Sequence, residues 1–216
     1  MNPVLVNFLF VLLITIFVGI SAVIFMKKLN ISRTIIREAI LVLTICIFGE
    51  ITAGIILSDI EQFLTILPGV LVLVPIVSGT RGSLMGIFNS RLTSGLHLGT
   101  IKPNIWQAIS LKDRIIKENI LGIVFLTMLI AILSGVIAHY FSVLFGFQSA
   151  GLFKFVFIVL VASSLSDISL ILTGIVISFL CFKKGLDPDN LLFPLSTTIS
   201  DIISILFLVL AVRILV

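Results

Sequence analysis

The sequence predicts an all-α integral membrane protein with about six transmembrane helices. Of its 216 residues, 59% are hydrophobic and only 11% are charged, whereas a soluble domain has about 25% charged residues. The apolar stretches lack period-two alternation and reach or exceed the roughly 20 residues of a spanning helix. Helices are therefore favoured over a barrel as the way to satisfy the backbone in lipid. The six stretches are residues 4–26, 38–58, 62–90, 117–146, 151–183 and 187–216.

The first and third stretches have distinct expectations. No Lys or Arg precedes residues 4–26 and no A-x-A site follows them, so we expect a membrane helix and not a cleaved signal. Residues 62–90 are long for one crossing, contain Pro68 and Pro75, and end in a Gly/Ser-rich run. Each internal proline removes a backbone hydrogen bond, and irregular backbone at membrane depth needs protein or a wet cavity beside it. We therefore expect a broken helix that lines a cavity.

The sixth stretch begins with residues that suit a helix start. Asp187 is a candidate N-cap, with Pro188 at the first helical position. Asp189 and Asn190 follow in the first turn, and Pro194 frees the carbonyl of Asn190. The acids of this turn are also expected to attract cations to a pathway mouth.

The positive charges predict the orientation of the chain. Twelve of the 14 Lys and Arg residues, Arg81 among them, are assigned to one side of a six-helix arrangement. Only Lys154 and Arg213 belong to the other side. The positive-inside rule then predicts a multi-pass protein of the cell membrane with basic cytoplasmic loops and both termini outside. The net charge of +4 is explained by topology, and no nucleic-acid partner is expected.

Three acidic residues fall deep inside the apolar stretches: Glu50, Asp167 and Asp201. A charged side chain at the centre of a membrane helix is unfavourable by about 2.5–3.5 kcal/mol on insertion scales, and such residues commonly mark ion pathways. We therefore predict all three as cation ligands. Two structural alternatives stay open: a buried acid that is neutral and hydrogen-bonded, or an ion pair with Arg81.

Two of these acids share a local pattern. The segment "SSLSDISLIL" at 163–172 is similar to "TTISDIISIL" at 197–206. Thr197 precedes Asp201 by four residues, which places both on one helix face and adds Thr197 to the predicted ligands. The similarity is either an inverted repeat of the kind found in transporters or a chance match between two hydroxyl-rich helices.

The available donors indicate a hard cation. Carboxylates, hydroxyls and freed carbonyls suit Mg²⁺, Ca²⁺, Na⁺ or H⁺ better than soft metals. His97 and His139 fall at opposite ends of the membrane, and Cys46 and Cys181 show no CxxC spacing. A zinc or copper site is therefore not expected. Mg²⁺ keeps much of its water and needs few direct protein ligands, so a few acids in a wet pathway could hold it.

Two segments carry distinctive motifs. Residues 67–101 contain the pattern P…G-x-[KR]-G-x-L…S-R-L-[ST], formed by Pro75, Gly79, Arg81, Gly82, Leu84, Ser90, Arg91, Leu92 and Thr93. Residues 185–209 contain D-P-D-N…P…D, formed by Asp187, Pro188, Asp189, Asn190, Pro194 and Asp201. These segments resemble the MgtE-type magnesium channels and, more closely, the related eukaryotic magnesium solute carriers.

The resemblance covers roughly residues 36–216 and implies a five-helix cation transport domain there. Residues 1–35 would be an additional helix and a basic loop, with no soluble regulatory domain in the chain. The resemblance also implies a homodimer whose pore is lined by the two motif helices, and an Asp201 that contacts hydrated Mg²⁺, the transported ion. Ser83 and Met85 replace the Asn and the acid that relatives often have, which weakens any ligand role at those positions.

Transport of Mg²⁺ is the leading hypothesis, and we expect neither an enzyme nor an obligate protein partner. A channel and a Na⁺- or H⁺-coupled carrier would use the same residues, so both stay open. An intramembrane aspartyl protease using Asp167 and Asp201 is the alternative from another class. It is disfavoured because "SLSD" and "TISD" replace the Gly-x-Gly-Asp signature of those proteases.

Overall fold

The computed structural model describes residues 33–59, 68–186 and 188–215, together with 13, 16–17 and 19–21. Of residues 33–37 and 188–190, only the backbone is described. Most of the predicted span 4–26 and the predicted N-cap Asp187 lie outside these residues. Residues 41–216 form one compact unit, and every contact discussed below lies within it.

The described elements are all helical. In chain order they are α1 (Arg33–Ser58), a 3-10 segment (Pro68–Val72), α2 (Leu73–His97), α3 (Ile105–Ile109), α4 (Arg114–Leu144), α5 (Leu152–Lys184) and α6 (Pro188–Leu215). Within the described part of the chain, five segments are long and apolar enough to cross a membrane: Glu38–Ser58, Gly69–His97, Arg114–Leu144, Leu152–Lys184 and Leu191–Leu215. The prediction of an all-α membrane protein is confirmed. Four of the last five predicted stretches agree with these segments to within a few residues, whereas the third, predicted at 62–90, is observed at Gly69–His97.

Local chemistry explains several of the helix ends. The Asp113 side chain accepts hydrogen bonds from the backbone N–H groups of Ile115 and Ile116, which caps the start of α4. Asn104 caps the short helix α3 in the same way. Gly185 ends α5 with a left-handed φ of 62°, a conformation that costs glycine little.

The expectation of a broken third helix needs correction. Instead of an interruption, the described residues show a change of helix type: the 3-10 segment Pro68–Val72 leads directly into α2, which continues to His97. Pro75 lies in the first turn of α2, where its missing N–H has no intrahelical partner to lose. Pro194 likewise lies inside α6, which the structure describes as a continuous helix.

The core consists of two apolar clusters separated by polar side chains. One cluster includes Val77 of α2 and Ala162 of α5, and the other includes Leu84 and Leu170 of the same two helices. Between them, the buried polar residues of α2, α4 and α5 are Arg81, Thr127, Ser163, Ser166 and Asp167. These five residues form what we call the mid-membrane polar layer.

Helix α5 is central to the packing, because it contacts α2, α4 and α6. Small residues permit the closest approaches between helices, as is usual in membranes. A Cβ atom at Gly135 of α4 would lie 2.5 Å from the Cα atom of Val156 in α5. The α4–α5 spacing therefore depends on the absence of a side chain at residue 135.

We predict that Gly135→Leu lowers the stability of the detergent-solubilised protein by about 1–3 kcal/mol, because the added side chain overpacks the α4–α5 contact. The measurement is the thermal unfolding midpoint. Gly122→Leu is the matched control on the same helix, since no other atom lies within 4 Å of a Cβ built there. Equal shifts for the two variants would contradict this account of the packing.

Candidate functional site

Two of the predicted acids lie together. The carboxyl groups of Glu50 on α1 and Asp201 on α6 are within hydrogen-bonding distance of each other. Gly49, next to Glu50, permits this arrangement, because a Cβ there would collide with the side chain of Thr198 on α6. Glu50 is exposed and Asp201 is half-buried. Two negative groups at this distance repel each other unless a cation or a proton lies between them.

Thr197 lies one turn before Asp201, as the sequence predicted, and is also half-buried. Its hydroxyl donates to the carbonyl of Pro194 at 2.9 Å. A Cβ atom built at Gly82 of α2 would lie 3.7 Å from the Thr197 Cγ2 atom, which is ordinary van der Waals contact. Helices α2 and α6 pack against each other, and Gly82 lies beside Thr197 near the acidic pair, with room for a small side chain.

The predicted pore-lining residues of α2 divide between two faces. Pro75, Gly79, Ser83 and Ser90 are exposed, whereas Arg81 and Gly82 are buried. Most of the predicted pore-lining residues of α2 therefore lie on the exposed face of the helix.

An open cavity of about 990 Å³ lies between the second half of α2 and the start of α6. Hydroxyl and amide side chains, one arginine and one histidine line it, but most of its surface is apolar. The lining residues are Ser83, Gly86, Ile87, Asn89, Ser90, Arg91, Thr93, Ser94, His97, Leu192 and Phe193. Neither Glu50 nor Asp201 lines this cavity.

Asp167 is held in a different environment from Asp201. Its Oδ1 atom lies 2.8 Å from Nη1 of Arg81, and the same nitrogen donates to Thr127 Oγ1 at 2.8 Å. Arg81 is 1% exposed and Asp167 is 7% exposed. The alternative of an ion pair between Arg81 and one of the three acids is therefore realised at Asp167, and a ligand role for Asp167 stays a prediction.

The position of Arg81 corrects one step of the topology argument. The sequence-based count placed this residue with the cytoplasmic charges, but the structure places it inside the span Gly69–His97, paired with Asp167. Arg91 also lies within this span, and the assignment of the other charges to the cytoplasmic side stays a prediction. At the opposite end, Arg213 pairs with Asp59 at 3.3 Å.

Two buried polar residues were not identified from the sequence. Thr127 of α4 accepts a hydrogen bond from Nη1 of Arg81, the same nitrogen that donates to Asp167. Asn89 of α2 donates to the Ser196 hydroxyl at 2.6 Å and accepts from the Ser178 hydroxyl at 3.4 Å, which links α2, α6 and α5. A comparison of the depths of lone polar residues in neighbouring spans would have pointed to both.

The remaining motif residues of α6 can be placed only in part. Asp189 and Asn190 lie in the first turn of the helix, and their side chains are outside the described residues.

Among the residues that the structure describes, no three His, Cys, Asp or Glu side chains cluster as a metal site would require. The acidic pair and the neighbouring hydroxyl suit a cation that retains part of its water shell.

Comparison with known proteins identifies the family. Residues 74–211, which span α2 to α6, match the MgtE family of divalent cation transporters. The chain is also 26% identical over 171 residues to solute carrier family 41 member 2 of Xenopus laevis. It is 28% identical over 172 residues to the protein of the same name from Gallus gallus. Each match covers 74% of this chain and 28% of the relative, so the chain spans little more than a quarter of those proteins. This chain belongs to the MgtE family of divalent cation transporters, a family of membrane transporters rather than enzymes.

Proposed function

We propose that this chain transports Mg²⁺ across a membrane and that Glu50, Asp201 and Thr197 contact the ion. The observation that supports this most directly is the approach of the Glu50 and Asp201 carboxyl groups at mid-membrane. A divalent cation between them would relieve their repulsion. The name of the relatives from Xenopus laevis and Gallus gallus, solute carriers, is consistent with a transport role.

Mg²⁺ fits this site better than a soft metal does. The donors are two carboxylates and a hydroxyl, which are hard oxygen ligands. Mg²⁺ gives up its water reluctantly and commonly binds through one or two carboxylates. The neighbouring cavity between α2 and α6 offers room for a hydrated ion to approach along the membrane.

The transport pathway is proposed to lie between two copies of this chain. Glu50 is exposed on a helix long and apolar enough to span the membrane, and lipid is a poor environment for a carboxylate. The exposed motif face of α2, which includes Gly79 and Ser83, also suits a protein or water boundary better than lipid. A second copy would enclose both features in a wet pore.

The orientation follows from the positive-inside rule. The loop between α2 and α4 contains Lys102 and Lys112, and α5 ends in Lys183 and Lys184. These ends are proposed to be cytoplasmic, with the α4–α5 connection outside. Asp189 and Asn190, at the start of α6, would then lie at the cytoplasmic mouth of the pathway together with Pro194 and Asp187.

We predict that Asp201→Asn reduces Mg²⁺ flux into proteoliposomes at least about 10-fold, because the amide cannot supply the charge that holds a dication. Glu118→Gln is the control, since Glu118 is an exposed acid paired with Arg114 at the start of α4. The variant should keep the oligomeric size of the wild type. Unchanged flux would remove Asp201 from the pathway, and a flux that requires a Na⁺ or pH gradient would identify a coupled carrier.

A second prediction concerns the acidic pair as one site. Glu50→Gln should raise the half-saturating Mg²⁺ concentration several-fold, and Glu50→Gln combined with Asp201→Asn should be little worse than Asp201→Asn alone. Residues that share one ligand are non-additive in this way. Flux titrations with all three variants provide the measurement. Fully additive losses would indicate two independent sites.

Orientation is testable with single cysteines in a background where Cys46 and Cys181 are replaced by alanine. We expect Ser110→Cys, after α3, to react with a membrane-impermeant maleimide only after cells are permeabilised. Gln148→Cys, between α4 and α5, should react in intact cells. Both residues are exposed in the folded chain. The reverse labelling pattern would contradict the proposed topology.

A further inference from the structure

We propose that Asp167 is the internal counterion of Arg81, and that this pair positions the transport helix α2 instead of binding the transported cation. Measurements of Mg²⁺ flux test this proposal only if the proposed Mg²⁺ transport is correct. Measurements of protein stability test it independently of that function. The proposal departs from the sequence-based expectation that all three mid-membrane acids are cation ligands.

The pair ties three helices together at one point. Arg81 of α2 contacts Asp167 of α5 at 2.8 Å and Thr127 of α4 at 2.8 Å. Arg81 is 1% exposed and Thr127 is fully buried. Charged groups inside a bilayer are stable when they pair with one another in this way.

The direction of Arg81 matters for a cation pathway. Gly79 and Ser83 lie two residues before and after it, and both are on the exposed face of α2. Because successive residues turn by about 100° around a helix, Arg81 points to the opposite side, into the bundle. If the Arg81 guanidinium turned to the exposed face, it would repel a dication near the acidic pair, and the pairing with Asp167 holds it away from that face.

The anchor lies next to the α2–α6 contact. Gly82, the residue after Arg81, lies beside Thr197 of α6, and Thr197 is one turn from Asp201. The rotation and depth of α2, fixed at Arg81, therefore set its position beside the acidic pair. Nε and Nη2 of Arg81 are buried without a hydrogen-bond partner in the described structure. Loss of Asp167 would leave Arg81 with Thr127 as its remaining described partner.

The pair also determines the charge balance at mid-depth. Arg81 and Asp167 cancel each other in the described part of the bundle, so Glu50 and Asp201 keep the negative charge that attracts a dication. Removal of Asp167 alone would add an uncompensated positive charge beside this site. Removal of both partners would restore neutrality there.

The test is a double-mutant cycle in purified protein reconstituted into liposomes. The variants are Asp167→Asn, Arg81→Gln and their combination, with Arg81→Met plus Asp167→Leu as an apolar replacement of the pair. We expect Asp167→Asn to lose Mg²⁺ flux at least 10-fold. At least one double variant should recover flux to within about 3-fold of the wild type, with an unchanged half-saturating Mg²⁺ concentration, because replacing both members of a buried pair is tolerated better than removing one. Ser166→Ala is the control beside Asp167, since its hydroxyl bonds only carbonyls of its own helix.

Mg²⁺ flux and protein stability each provide outcomes that would contradict the positioning role of the Arg81–Asp167 pair. Wild-type flux in Asp167→Asn would overturn the proposal. Folded double variants that stay as inactive as Asp167→Asn would also overturn it, and would make Asp167 a cation ligand. Folded yield and thermal midpoint provide the second readout, on which the single variants should be worse than the double variants. Double variants that fold less well than both single variants would also overturn it. Absence of Mg²⁺ flux in the wild type would refute the proposed function and leave the stability comparison intact.

Discussion

A positive charge buried in the middle of a membrane bundle must find a negative partner, and the pairing of Arg81 with Asp167 meets this constraint. The mid-membrane polar layer is built around this pair. Two apolar clusters lie on either side of it, and α2, α4 and α5 meet at it through Thr127. Because breaking one partner of a buried ion pair is far more damaging than replacing both, the position of α2 is coupled to residues on two other helices that do not line the candidate cation site.

Asp201 shows the opposite solution to the same problem. Instead of an arginine it faces another acid, Glu50, and both are partly accessible. The two aspartates lie in closely similar local sequences, "SLSDIS" and "TISDII". Their different environments show that local sequence does not assign a role to an intramembrane acid. The partner helix decides whether the carboxylate is neutralised inside the protein or left free to meet a cation.

The sequence was sufficient for the fold and for part of the candidate site. Composition and the length of apolar stretches predicted five of the spans to within a few residues, except that the third extends to His97. The depth of Glu50, Asp167 and Asp201 also marked them as unusual. The sequence could not predict how the helices pair, because a single sequence does not show which face of α2 points into the bundle. For the same reason Arg81 was counted with the loop charges, and Thr127 and Asn89 were overlooked as connecting residues.

The prediction of a broken third helix was wrong for another reason. A proline in the first turn of a helix costs no hydrogen bond, so Pro75 did not cause a break.

The open cavity between α2 and α6 changes the physics of crossing the bilayer. It extends from Ser83 to His97 along α2, which is on the order of 20 Å of helix at about 1.5 Å per residue. Its volume of about 990 Å³ is large enough for a cluster of water molecules. Where such a cleft holds water, the insulating layer is thinner than the bilayer itself. An ion travelling through it would keep its solvation shell for much of the journey, so that the electrical barrier is concentrated in the remaining short stretch.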